Sequence, residues 1–276
     1  PSCDRTQKIN HRINNIFNNI FDVNTKRFIS PLEIDLINHS KKMCIEYNGI
    51  MFHSHGISEH SRFNNPITAP KYHLNKTELV EEKGYQLFHI FENEWLNKKK
   101  KKIWISIINN KLGNSQKIYT RKCVIKEVNN IEEKDFLDNN HLQGNCSSSI
   151  KIGLYFNDEL VSLMTFRKHK KYQWEIARFA NKINYSITGA ASKLLKYFEL
   201  NYNPSSLLSY ANRRWSKGNL YEKLGFEYYG NTQPNYFYFK PVEKILYSRE
   251  KFQKHKLKNV LSLYDESKSE LINMFN

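Results

Sequence analysis

Cysteine is scarce in this chain. Cys3, Cys44, Cys123 and Cys146 lie far apart with no C-x-x-C pair, which excludes a disulfide framework and a written-out structural zinc site. Cys3 alone reads as a free thiol or as the last trace of an upstream zinc module. Long apolar runs are missing too, and the start Pro1-Ser2-Cys3-Asp4 has no hydrophobic signal region. That leaves no membrane span and no secretory leader to read, and the expected location is cytoplasmic. The start also lacks an initiator Met, as a piece of a longer protein would. Acidic residues are few: 27 Asp and Glu stand against 43 Lys and Arg, a formal charge of +16. Such a balance suits a polyanionic partner, nucleic acid ahead of an anionic membrane surface.

The 276 residues suffice for two domains, each with its own core. Ile9, Ile13, Ile16, Phe17, Ile20 and Phe21 recur at helical spacing over residues 6–22. The period then changes. Glu33–Ile37 and Met43–Tyr47 read as two strands of a hairpin across a polar turn, followed by a helix over 75–83, a strand over 85–91 and a helix through Trp95 and Trp104. Gly113-Asn114-Ser115 is the expected hinge, so the chain divides into 1–116, 117–241 and a basic helical tail, 242–276. The second segment repeats a mixed pattern: a hairpin across Asn157-Asp158, strands at 174–180, 207–211 and 237–239, and helices at 189–202 and 219–224. The expected fold class is α/β (α+β).

Glu33 and Asp35 stand two apart on one expected strand, and Glu46 and Asn48 two apart on the next, so each pair faces one side. A register that joins those sides gathers three carboxylates, the set that holds a hard divalent cation for phosphodiester hydrolysis. The same acids could instead pair with the abundant Lys and Arg on a solvated face. His53 and His55 follow directly after a Gly turn, and imidazole exchanges protons near neutral pH. His55, Glu59 and His60 admit a zinc reading, against that of a polar loop facing DNA.

The string PLEIDLINHSKKMCIEYNGIMFHSHG resembles the Vsr (very-short-patch repair) endonucleases and the EDxHD homing endonucleases of phages, a branch of the PD-(D/E)XK nucleases. The resemblance covers roughly residues 6–108. It implies a metal-dependent DNA endonuclease using Mg²⁺ or Mn²⁺ on double-stranded DNA. Asp35 matches the metal-binding Asp, Glu46 the second acid, and His53 the catalytic His, with Glu33 a further metal ligand. Asn48 stands where the broader pattern has Lys, which points to His53 as the proton carrier, with Lys76, one helical turn after His73, as an alternative base. His73 stands near a further acidic position and is expected to bind metal, carry a proton or contact phosphate. The N-terminal Glu of the EDxHD pattern has no match.

Residues 117–240 resemble the GNAT acyltransferases, most closely a Mom-like variant, on IKIGLYFNDELVSLMTF, WEIARFAN, TGAASKLLKYF and GNLYEKLGFEYYG. That resemblance implies either a transferase using a coenzyme A derivative or a fold reused to grip DNA. Gly189 is alone where a pyrophosphate-binding turn has several glycines, so no small-molecule cofactor is expected. Lys98, Lys99 and Lys100, then Arg213, Arg214, Trp215 and Lys217, then Lys254 and Lys256 are the expected DNA contacts. The alternatives to a nuclease are a DNA-modifying acyltransferase and a non-catalytic DNA-binding protein with a decayed nuclease domain.

Overall fold

A computed structural model describes residues 2–50, 53–54, 71–240 and 245–275, with side chains from residue 6 to residue 274 of that set. The first helix, α1 (Ser2–Ile16), buries Ile13 and, just past its end, Phe17. It ends where Asn18 and Asn19 take positive φ, a conformation Asn tolerates, and the Asn14 amide both accepts from Phe21 N–H and donates to its carbonyl. The chain then enters β1 (Asp22–Ile29), β2 (Leu32–Asn38) and β3 (Met43–Asn48). The β2–β3 turn is fixed by Asn38 Oδ1, which accepts from Ser40 Oγ and Lys41 N–H. After α2 (Tyr72–Glu82), β4 (Gln86–Phe91) pairs in parallel with β3, so the order is β1-β2-β3-β4 with the first two pairings antiparallel. A parallel pair needs a crossover, and α2 supplies it.

The opening helix ends at Ile16, before the expected 22, and a turn over residues 17–21 takes the place of its end and leads into β1. Only Ile29 in β1 is buried, so this strand carries almost no apolar alternation. The expected helix through Trp95 and Trp104 is two, α3 (Glu92–Leu96) and α4 (Lys98–Leu112), joined at Asn97, whose side chain caps Lys99 and Lys100 N–H. One face of the sheet (Leu36, Ile45, Tyr47, Phe88, Ile90) packs on α1 and on Trp95, Trp104 and Ile108. On the other, Ile37, Cys44 and Leu87 meet Val80 of α2. Covered on both faces, β3 shows no alternation of buried and exposed positions: all six of its residues are buried.

Then come β5 (Gln116–Tyr119), β6 (Val124–Glu127), α5 (Asn130–Asn140), β7 (Ile150–Phe156), β8 (Glu159–Lys168), β9 (Trp174–Asn181), β10 (Tyr185–Thr188), α6 (Ala190–Tyr202), β11 (Leu207–Leu208) and α7 (Asn219–Lys223). A five-stranded mixed sheet runs β11-β9-β8-β7-β6, and β5 pairs separately with β10. The apolar face of α6 (Leu194, Leu195, Phe198) packs on Ile152, Met164, Phe166 and Ile176, while Phe136 and Leu137 of α5 cover Leu163 and Ala180. The tail departs from the expected helices. Here β12 (Phe237–Lys240) pairs antiparallel with β13 (Ile245–Ser248), because apolar residues on both strands can share one ladder; among the described residues of the tail the α-helices are α8 (Lys254–Leu257) and α9 (Glu270–Phe275), with a 3-10 turn at Arg249–Lys251.

The chain is thus mixed α/β. By contact density it divides into residues 1–48 with 76–229, and residues 49–75 with 230–276. Residue 116 falls inside the first unit. No helix among the described residues is long and apolar enough to cross a membrane.

Candidate active site

The β2–β3 ladder pairs Asn38 with Met43, Ile37 with Cys44 and Leu36 with Ile45. Beyond Leu36 a side chain takes over from the backbone: Asp35 Oδ2 accepts the Tyr47 N–H at 2.7 Å. Asp35 Oδ1 accepts from Asn10 Nδ2 of α1 at 2.9 Å, and the same amide donates to Asn24 Oδ1. Asp35 is therefore held between α1 and β3. Glu46, on the next strand, receives Lys76 Nζ of α2 at 2.5 Å, with the lysine side chain 3% exposed and the glutamate 11%.

The electrostatics follow from that burial. Desolvation pushes the Asp35 carboxyl above its usual range, with the Tyr47 N–H, Lys76 and Asn10 pulling the other way and the Glu33 charge adding to the rise. Cys44 is pushed up to about 12 by burial and by Glu46, so it stays a thiol. Among the described residues no three His, Cys, Asp or Glu side chains form a metal-sized group. Amide oxygens extend the donor set: Asn10 Oδ1 and Asn48 Oδ1 are buried with no hydrogen-bond partner among the described residues. Carboxylate and amide oxygens are hard donors, the class that suits a cation such as Mg²⁺ rather than a thiophilic one.

Asn48 is fully buried beside His89, the residue paired with Glu46 across the β3–β4 ladder. With Asn48 Nδ2 donating to His89 Nδ1 at 3.3 Å, the ring proton sits on Nε2 and donates to Thr77 Oγ1 at 2.9 Å. Sequence reasoning missed Asn10, Thr77 and His89. The available signals were an Asn beside Ile9 and Ile13 on the apolar face of α1, and a lone His inside the apolar run Leu87–Phe91.

His53 and His73 fall in the other contact unit, where their rings stack at 5.0 Å and the His53 N–H reaches the carbonyls of Gly49 and Ile50. His55, Glu59, His60 and the side chain of Cys3 lie outside the described residues.

The basic residues have divided fates. Lys98 and Lys99 are exposed and Lys100 is half-buried at the start of α4. Arg214 makes a paired contact with Glu94 (3.0 and 3.1 Å), and Arg213 reaches Glu81 at 2.6 Å and Glu78 at 3.4 Å. Trp215 stands edge-on to Trp104 at 6.0 Å, and Lys217 donates to the Tyr85 carbonyl. His89 N–H also donates to the Arg214 carbonyl, so residues 212–217 close the outer edge of β4. In the tail, Lys254 is exposed, and Lys256, also exposed, donates to the Glu250 carbonyl.

Comparison with protein-family models, curated proteins and solved structures finds no match to the chain.

Proposed function

We propose that the chain is a metal-dependent endonuclease acting on double-stranded DNA, with Asp35, Glu46 and Lys76 at its centre. The observation that carries this reading is the meeting of Asp35, Glu46 and Lys76 where β2 and β3 part, in an α-β-β-β-α-β order with β3 and β4 parallel. The resemblance to the PD-(D/E)XK nucleases supports the reading at Asp35 and Glu46. Lys76 approaches from α2 and takes the role of the lysine missing at position 48. Residues 117–240, a mixed sheet with helices packed on both faces, are assigned to gripping DNA, the role favoured under the GNAT-like resemblance.

Asp35, Glu46 and the Asn10 amide oxygen would hold the cation, and Glu33 would add charge. A bound Mg²⁺ would polarise the scissile phosphate and acidify the attacking water. Lys76, anchored by Glu46, places an ammonium beside the carboxylates, where it can stabilise charge developing on the phosphate and transfer a proton. Asn10 and the Tyr47 N–H fix the Asp35 rotamer.

Supercoiled plasmid with Mg²⁺, Mn²⁺ or EDTA tests the reading: nicked or linear product should form with metal only, and Asp35→Ala and Lys76→Ala should abolish it. Mg²⁺ should also raise the melting temperature of the unmutated chain and leave Asp35→Asn unmoved. Undiminished cutting by Asp35→Ala sinks the assignment.

A further inference from the structure

Beside the carboxylate centre, α1, β3, α3 and α4 enclose an open cavity of about 530 Å³. That size lies within the roughly 300–1,000 Å³ typical of small-ligand sites. Its two composition zones differ. Tyr47 and Trp95, buried, and Ile9, half-buried, form an apolar floor, flanked by Leu96 and Ile16, which are 61% and 38% exposed. Lys8, Arg12, Lys98 and Lys101 form the rim, with Lys101 Nζ 4.9 Å from the centre of the Trp95 ring. Glu92, 7% exposed, is the carboxylate in the wall.

Phosphates alone need cations but no apolar floor, and a buried carboxylate repels them. A flat, apolar nucleobase carried between two phosphates satisfies both zones. Its faces meet aromatic and aliphatic carbon, its N–H edge can donate to Glu92, and its flanking phosphates meet the rim. The cavity also shares its walls with the centre. Tyr47 lines it while donating its N–H to Asp35, and Ile9 lines it next to Asn10, which donates to Asp35. We propose that this cavity receives an unstacked nucleobase of the bound strand, beside the phosphate to be cut. The proposal rests on the nuclease reading for the identity of the strand and for the cut.

Binding in EDTA separates the two. Fluorescence anisotropy with the full chain should show a duplex carrying one unpaired adenine binding on the order of tenfold tighter than its fully paired counterpart, because an unpaired base has already lost its pairing. Leu96→Gln and Ile16→Gln, both at exposed positions, should erase that preference while leaving melting temperature and paired-duplex affinity within about twofold. Arg12→Ala should weaken both duplexes and flatten their salt dependence. With 5-iodouracil at the unpaired position, photocrosslinks should map to Tyr47 or Trp95. No preference in the unmutated chain overturns the proposal, as do crosslinks confined to other segments. Binding to phosphatidylserine vesicles that Leu96→Gln removes, without a preference for the unpaired base, reassigns the cavity to a lipid headgroup and also overturns it. A chain that cuts plasmid without the preference loses the cavity and keeps the nuclease; the preference without cutting does the reverse.

Discussion

Lys76 shows how much one buried charge can decide. Its ammonium is nearly inaccessible to water and rests on Glu46, so removing it strands a carboxylate where hydration cannot compensate. Lys76→Met should cost about 3–5 kcal/mol in urea unfolding, against under ~1 kcal/mol for an exposed pair, and Glu46→Gln with Lys76→Met should cost less than Lys76→Met alone. An additive double mutant would show that the two groups do not interact. A second residue gives a pH signature. His141 Nδ1 accepts the Gln143 N–H, and burial together with the nearby Arg178 lowers its pKa from 6.5 to about 4. The folded state therefore binds fewer protons than the unfolded one. The stability contributed is complete above pH 6.5 and is lost as pH falls towards 4, on the order of 2–3 kcal/mol, and His141→Gln should flatten that slope. An unchanged slope in the variant would assign the acid sensitivity to other groups.

Elements with strong local signals were legible: the β2–β3 hairpin, α2 and β4 lie within a few residues of their expected spans, and with them Asp35, Glu46 and Lys76. β1 was not, because its pairing with β2 and not its own residues specifies it; seven of its eight positions are at least partly exposed. The string from Arg213 to Lys217 shows the same gap at side-chain level. Composition reveals a cation but not its partner, and Glu94 and Glu78 lie 120 and 135 residues away in sequence. The start of α6 tests the other half of the reading. Gly189 sits there at φ +84°, and a Cβ on it would come within 3.1 Å of Thr120 Oγ1. Lys193, in the first turn, donates to the carbonyls of Thr120 and Cys123 at 2.8 and 2.7 Å. The turn at 120–123 thus packs where a coenzyme A pyrophosphate would approach the helix N–H groups. Millimolar acetyl-coenzyme A should leave the melting temperature unchanged, whereas a ligand at a hundred times its Kd contributes about 2.7 kcal/mol. A clear upward shift would promote the transferase alternative.

At the scale of the molecule, the first contact unit crosses the division expected at residue 116, and the residues that cross it are costly to separate. Trp104 is fully buried, and Trp215 covers part of it. Glu94 is buried between Trp104 Nε1, which donates at 3.1 Å, and the Arg214 guanidinium. Ser106 Oγ accepts the Asn184 N–H at 2.7 Å, and Leu142 and Ile183 join the core that α4 shares with α1. A chain cut after residue 116 keeps Trp104, Glu94 and Ser106 but loses Trp215, Arg214 and Asn184, which pack on them or pair with them. Taking the guanidinium from a buried carboxylate costs up to about 3–5 kcal/mol, and uncovering part of the indole adds up to about 2 kcal/mol of lost apolar burial. Domains of this size have roughly 5–15 kcal/mol of stability in total. Residues 1–116 should therefore fail to fold, giving collapsed amide dispersion in a ¹H–¹⁵N spectrum and no cooperative melting. Arg214→Ala in the full chain should lower the urea midpoint, and Arg214→Ala with Glu94→Gln should recover part of the loss. Well-dispersed, cooperative folding of the 1–116 fragment would show that these contacts join two self-sufficient domains and do not complete one core.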